Sequence, residues 1–385
     1  MSTQDFDYII AGSGAAGLSL AYRLADPAFS DKRVLLLDRA AKQENDRTWC
    51  FWEVGAGAFD EAVFRSWDQM WFHGPSQSRK LDLGDIRYKM LRGLDFYDFA
   101  LARIRECSHM TFRRAEIYDI GHHQGRAIVD TSEGSFTADW AFSSLLSNEE
   151  VHAAKKGLFL WQHFMGWDVE CESSVFDPSC PVFMDFRVEQ PEGSCFVYVL
   201  PYSETRALVE YTVFSEEVWE RPAYEERLRD YMKRFVGEQR YQRLHVEQGR
   251  IPMASHKFPT SEGRTVFIGT AGGQTKGSTG YTFQNIQRHS TAIVDALKQG
   301  KSPVVEPSAW QQRFRAYDNA LLRVLAKGYY PGAPLFEQLF LKNPPRRILS
   351  FLDEQSDFGM ELALMNSVPR WIFTRAVIEN LLPGK

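Results

Sequence analysis

The stretch "FDYIIAGSGAAGLSLAYRLADPAFSDKRVLLLD", residues 6–38, decides the fold. Residues 6–10 form an apolar run with the length of a buried strand, and residues 33–38 form a second. Continuous apolar runs of this kind suit a parallel sheet covered on both faces. Between them, residues 18–26 read as a helix, so the chain opens with a βαβ unit. Gly12, Gly14 and Gly17 place G-x-G-x-x-G at the strand-to-helix turn. Gly12 permits the tight turn, Gly14 lets backbone approach a pyrophosphate, and Gly17 lets helix and strand pack closely. Ala15 and Ala16 open the helix, whose free N–H groups favour phosphate. Asp38 ends the second strand about 20 residues beyond the fingerprint, the spacing of an acid that holds a ribose hydroxyl. The unit predicts dinucleotide binding and leaves NAD or FAD open.

Outward from this unit, the 385 residues are 44% hydrophobic and carry a formal net charge of −5. The length suits one large or two interleaved domains. No basic stripe marks a nucleic-acid surface. Five cysteines, an odd number with no C-x-x-C pair, predict a reduced intracellular protein. The nine histidines show no ligand spacing, so no metal is expected. The N-terminus lacks the pattern of a signal peptide. No run reaches the roughly 18 apolar residues of a membrane span. Aromatic residues make up 14% of the chain, which fits either core packing or a tunnel for a large apolar substrate.

Further along, residues 95–106 carry helical spacing, and residues 127–142 read as a hairpin turning near Glu133 and Gly134. Residues 181–214 give three strands of a second, antiparallel sheet, and residues 224–236 a helix. Residues 264–297 read as strand, glycine-rich loop and helix. The late position of that loop favours FAD, because flavoenzymes of the glutathione-reductase type return there to close over the flavin. Residues 306–385 are helical and aromatic, broken by prolines. The expected class is α/β: a Rossmann-like FAD-binding domain of the glutathione-reductase type (1–45, 85–150 and 250–305) interleaved with an antiparallel substrate domain (46–84 and 151–249). A helical C-terminal region (306–385) follows.

The strand "RALVEYTVFS", residues 206–215, places Glu210 between Leu208 and Phe214 on one face. On this local pattern the residue reads first as a surface glutamate facing water. A buried acid is the other reading.

Taken together, the motifs resemble the lycopene cyclases, flavoproteins that close carotenoid end rings. The matching stretches, in family order, are "YIIAGSGAAGLSLAYRL", "DRTWCFW", "PVFMDFRV", "FVYVLPYSETRALVEYT", "GRIPM" and "GGQTKGSTGY". Two departures stand out. The family commonly has two acids in the strand motif, whereas here Tyr211 takes the second place. Lys276 and Gly277 stand where the family often has His-Pro. Gly269-Thr270-Ala271 replaces the Gly-Asp-Ala of related hydroxylases, which counts against a hydroxylase.

The resemblance implies a redox-neutral conversion of lycopene to β-carotene, with reduced FAD as the active form and NADPH or NADH as reductant. It implies Glu210 as the acid, with Asp185 of the Met-Asp motif near the substrate. Arg47, Thr48, Gly269, Ala271, Gly272, Thr279, Gly280 and Tyr281 are the further flavin contacts it suggests. Trp49, Phe51, Trp52, Phe186 and Tyr198 are the aromatic candidates for a substrate pocket, each also suited to plain core packing. An insoluble carotenoid implies peripheral contact with a lipid surface on the cytoplasmic side, for which residues 321–352 and 368–382 have the composition. The competing readings are a flavin-dependent reductase or hydroxylase acting on a prenyl lipid or aromatic substrate, and a flavin- or lipid-binding protein without catalysis.

Overall fold

A computed structural model describes residues 4–237 and 240–382, with the side chains of residues 235 and 236 set aside. The opening unit forms as its sequence dictates. Strand Gln4–Ala11 leads through the glycine turn into helix Ala15–Leu24, then strand Val34–Asp38 pairs with the first in parallel. Every residue of Val34–Asp38 is buried, as its unbroken apolar run requires. Strands Gly134–Ser143 and Thr265–Phe267 extend the sheet on one side and Met110–Arg114 on the other. The expected hairpin is present: Arg126–Thr131 pairs antiparallel with Gly134–Ser143 across residues 132 and 133. Helices Ala15–Leu24, Gly93–Arg105 and Phe283–Lys298 cover one face and build one core with Ile10, Leu36 and Phe142.

A second sheet has seven strands in the order Tyr241–Ala254, Phe159–Cys171, Arg206–Ser215, Ser194–Pro201, Val182–Asp185, Gln69–His73 and Ser78–Asp82. Its pairs are antiparallel except Val182–Asp185 with Gln69–His73, which run parallel. The two faces bury different cores. Val209, Tyr211 and Val213 pack with Tyr224, Leu228 and Met232 of helix Arg221–Val236. Leu208 and Phe214 face the C-terminal helices, where Leu322, Phe336, Phe340 and Leu349 complete the core.

Thr48–Val54 pairs antiparallel with Ile86–Arg92 in a third, small sheet that also takes Arg65–Trp67. These strands fall on either side of the domain boundary expected near residue 84, so the small sheet stitches the two larger parts together. Five helices follow residue 306, from Ala309–Ala326 to Arg370–Leu381. Among the described residues, no helix is long and apolar enough to cross a membrane.

Candidate active site

A cavity of about 550 Å³ lies where the three sheets meet. One side is the glycine turn, contributing Gly14, Ala15 and Ala16, with Arg47, Thr48 and Trp49 beside it. The opposite wall is the seven-stranded sheet, with Gln162, Tyr198, Leu208, Glu210 and Glu247. The late loop closes it through Gly269, Thr270, Gly280 and Tyr281.

The glycine turn divides its work as the spacing demands. Gly12 has φ +98°, in the region that favours glycine. A Cβ on Gly17 would stand 1.8 Å from the Gly12 carbonyl oxygen, so that position needs glycine for packing. A Cβ on Gly14 would meet no protein atom within 4 Å. Gly14 borders open space, the place where a dinucleotide backbone would lie. Asp38, the acid expected to hold a ribose hydroxyl, is bonded to the turn itself. Its carboxylate accepts hydrogen bonds from Ser13 N at 2.6 Å, Ser13 Oγ at 2.8 Å and Ala40 N at 2.8 Å. Lys42 Nζ stands 3.5 Å away. These partners hold its pKa below the ordinary value despite burial. Asp38 thus braces the turn and does not line the cavity.

The acid site is built from three adjacent strands. On the central one, Gly166 stands opposite Glu210 on one neighbour and opposite Glu247 on the other. Directly paired residues share a face, so both carboxylates point to the same side as the Cβ-less position between them. Thr212 Oγ1 donates to Glu210 Oε1 at 3.0 Å. Thr48 donates twice to Glu247, from N at 2.9 Å to Oε1 and from Oγ1 at 2.8 Å to Oε2. Burial first, then the charge of Glu247, pushes the Glu210 carboxyl well above the ordinary value of 4.5. Burial also raises Glu247, but its hydrogen bonds from Thr48 and the charges of Arg47 and His245 oppose this. Both carboxyls thus stand above the ordinary value, and the hydrogen-bond donors that favour the ionised form are two at Glu247 and one at Glu210.

Tyr211 lies on the reverse face, against helix Arg221–Val236, as strand alternation requires. An acid at 211 would therefore point away from this cavity. The second acid comes instead from a different strand. Glu247 escaped the sequence reading although it stands just ahead of the "GRIPM" stretch, because its signal lies in cross-strand register.

Asp185 is not brought to the cavity. It is almost fully buried, accepts from Arg187 Nε at 2.9 Å and Nη2 at 2.7 Å, and accepts from the Tyr231 hydroxyl at 2.9 Å. Arg187 holds it ionised, against the pull of burial. Phe186 is also in the core rather than on the cavity wall, stacked on Phe336 with ring centroids 5.4 Å apart. Trp49 and Tyr198 do line the cavity, while Phe51 and Trp52 line a small recess that shares Cys50 and Tyr281 with it. Trp52 is fixed by its indole N–H donating to the Leu349 carbonyl at 3.0 Å. Burial lifts the hydroxyls of Tyr88, Tyr198 and Tyr281 above their ordinary pKa, so this wall is uncharged.

Ala271, Gly272 and Thr279 lie in the late loop but outside the cavity lining. Lys276 turns away altogether: 3% exposed, it pairs with Asp318 at 2.8 Å and Glu354 at 3.3 Å in the C-terminal region. Gln162 Oε1, beside Gly280, is buried with no hydrogen-bond partner, an acceptor turned to the cavity side of the loop. An open glycine turn, an unpaired acceptor and a loop of small residues fit a bound flavin dinucleotide.

The sequence profile described as lycopene cyclase protein matches residues 7–377. The chain belongs to the lycopene cyclase family. A lycopene beta-cyclase of Paracoccus sp. is 27% identical over 219 residues, which is 54% of this chain and 52% of that relative. One from Pantoea ananas is 26% identical over 264 residues, 64% of this chain and 62% of that relative. The aligned stretches thus span between half and two thirds of these curated relatives. Among solved structures, a geranylgeranyl bacteriochlorophyll reductase-like protein from Thermoplasma acidophilum superposes with TM-score 0.67 at 13% identity, covering 99% of this chain and all of that one. That likeness concerns the fold, which is the Rossmann-like fold of the glutathione-reductase type. This lycopene cyclase family member places its acids on the sheet wall that faces the glycine turn.

Proposed function

We propose that this protein is an FAD-dependent lycopene β-cyclase that closes carotenoid end groups without net redox change. The observation that carries the reading is Glu210: a carboxyl on the cavity wall, opposite the glycine turn, in surroundings that favour its protonated form. A neutral carboxylic acid in an apolar pocket is a competent proton donor at neutral pH. The Glu210 O–H bond breaks as its proton adds to C2 of the terminal double bond of lycopene. The C5–C6 double bond then attacks the cation at C1 and closes the ring. Loss of the C6 proton gives the β-ring, and the same steps at the other end give β-carotene by way of γ-carotene. Tyr88, Tyr198 and Trp49 offer aromatic faces to the positive charge. FAD, once bound and reduced by NADPH or NADH, would supply negative charge that stabilises the cation. Gly14, Ala15, Ala16, Arg47, Gly269, Gly280 and Gln162, which line the cavity, would hold it. In this reading the first sheet and its helices form the flavin domain, and the seven-stranded sheet the carotenoid domain.

The test is expression in a lycopene-accumulating bacterium with pigment analysis, beside an assay with chemically pre-reduced FAD under anaerobic conditions. β-Carotene should form in both, without nicotinamide consumed per ring. Glu210→Gln should cut formation by about a hundredfold or more, the range for losing a general acid. A strict oxygen requirement, or nicotinamide consumed in proportion to product, would overturn the reading in favour of an oxidoreductase.

A further inference from the structure

We infer that Glu247 is the base that removes the C6 proton and so fixes the β-ring, paired with Glu210 across Gly166. The inference rests on the cyclase reading above and assigns that site a second catalytic residue.

Strands lie about 4.8 Å apart, so the Glu210 and Glu247 backbones are separated by about 10 Å with only Gly166 between them. Both side chains line the same cavity. A Cβ on Gly166 would meet Leu208 Cδ1 at 2.9 Å and Glu210 Cβ at 3.5 Å, so any larger residue would crowd the space beside the acid. Their hydrogen bonding differs in a way that assigns roles. Glu210 accepts one bond, from Thr212. Glu247 accepts two from Thr48, one of them from a backbone N–H, which suits a carboxylate. The groups facing the pair are Cys50, Tyr198 and Thr212 about Glu210, and Arg47, Thr48 and His245 about Glu247. The Arg47 guanidinium opposes the rise at Glu247, and no cation among the described residues acts in this way on Glu210.

The chemistry balances. Glu210 gives its proton to C2 and becomes a carboxylate. After the C1–C6 bond forms, the C6–H bond breaks, its electron pair becomes the C5–C6 double bond, and the proton goes to Glu247. Each turn moves one proton from Glu210 to the substrate and one from the substrate to Glu247. Transfer from Glu247 back to Glu210 through the open space over Gly166 restores the starting state. No oxidant or reductant is consumed.

The test uses purified FAD-loaded protein with Glu247→Gln, Glu247→Asp and Glu210→Gln beside the parent, following rate against pH and the ring type of the product. Glu247→Gln should lose about a hundredfold in rate while binding FAD as the parent does. Its residual activity should fall off at lower pH than the parent's, because removing the nearby anion lowers the Glu210 pKa and deprotonates the acid sooner. Glu247→Asp, which retains the charge, should keep the parent's alkaline limb and an intermediate rate. A Glu247→Gln enzyme at the parent's rate overturns the inference. So does one that is slow with its alkaline limb unmoved, or a Glu247→Asp enzyme that loses both rate and limb. Parent-like rate in Glu210→Gln removes instead the acid assignment on which the inference rests.

Discussion

A carboxyl kept neutral by its surroundings costs the fold stability, and this gives Glu210 a signature apart from catalysis. Its pKa in the folded chain is raised above the ordinary value of 4.5. Between those two values the folded state holds a proton that the unfolded state has released. Stability is therefore fully present below the unfolded value and declines as pH rises through the folded one. Glu210→Gln removes the titration. Its melting temperature should match the parent's at about pH 4 and exceed it by about 1–3 °C in mildly alkaline buffer. Equal melting across that range would mean that Glu210 is solvated like a surface residue. Glu210 could be singled out from sequence because its strand resembles the acidic strand motif of the family, whereas its apolar neighbours alone left it a surface residue. Glu247 could not, since its pairing with Gly166 connects residues far apart in the chain. Asp185 was equally visible as a residue, yet Arg187 and Tyr231 occupy its carboxylate, and Tyr231 comes from a helix beyond the next two strands.

At the scale of elements, the opening βαβ unit was legible almost residue by residue, because its strands are buried on both faces over Tyr8–Ala11 and Val34–Asp38 and its turn is specified by three glycines. Two substitutions in that turn should behave oppositely. Gly14 has an ordinary φ of −77°, and its missing side chain borders empty space. Gly14→Val should leave the melting temperature of the flavin-free protein nearly unchanged and abolish FAD uptake, measured by flavin fluorescence quenching. Gly17→Val should destabilise the protein itself, because its side chain would overlap the Gly12 carbonyl. FAD binding in Gly14→Val at parent affinity would displace the flavin from this turn. Strand Phe159–Cys171 was missed, although it is the partner of both acid-bearing strands. Its run is buried on both faces over most of its length and includes Gln162, His163 and Asp168, so neither alternation nor pure apolarity marks it.

For the whole molecule, the class of fold followed from the order of motifs, while the third sheet did not, because its pairing joins strands separated by three others. The C-terminal helices carry the largest exposed apolar side chains: Phe358 at 69%, Trp371 at 68% and Leu381 at 77%. They belong to the last two helices, on whose surface Leu362 and Ile378 are also exposed. Exposed apolar residues on these helices suit an interface with lipid. If a carotenoid is drawn from a bilayer here, Trp371→Glu with Leu381→Glu should reduce co-flotation with phospholipid vesicles several-fold. Turnover of detergent-solubilised lycopene should be unchanged. Equal flotation of parent and variant would move the contact elsewhere.

Lys276 bears on how such a chain can diverge. The ammonium turns inward to two acids from a later part of the sequence, Asp318 and Glu354. Replacing it by a neutral residue would leave Glu354 without this ammonium and Asp318 with only the Ser278 hydroxyl, at a cost of about 3–5 kcal/mol when a buried pair loses one partner. Positions 276, 318 and 354 are thus energetically coupled. A loop transplanted between relatives has to travel with its distant acids, and the C-terminal helices form one heritable unit with the loop over the cavity.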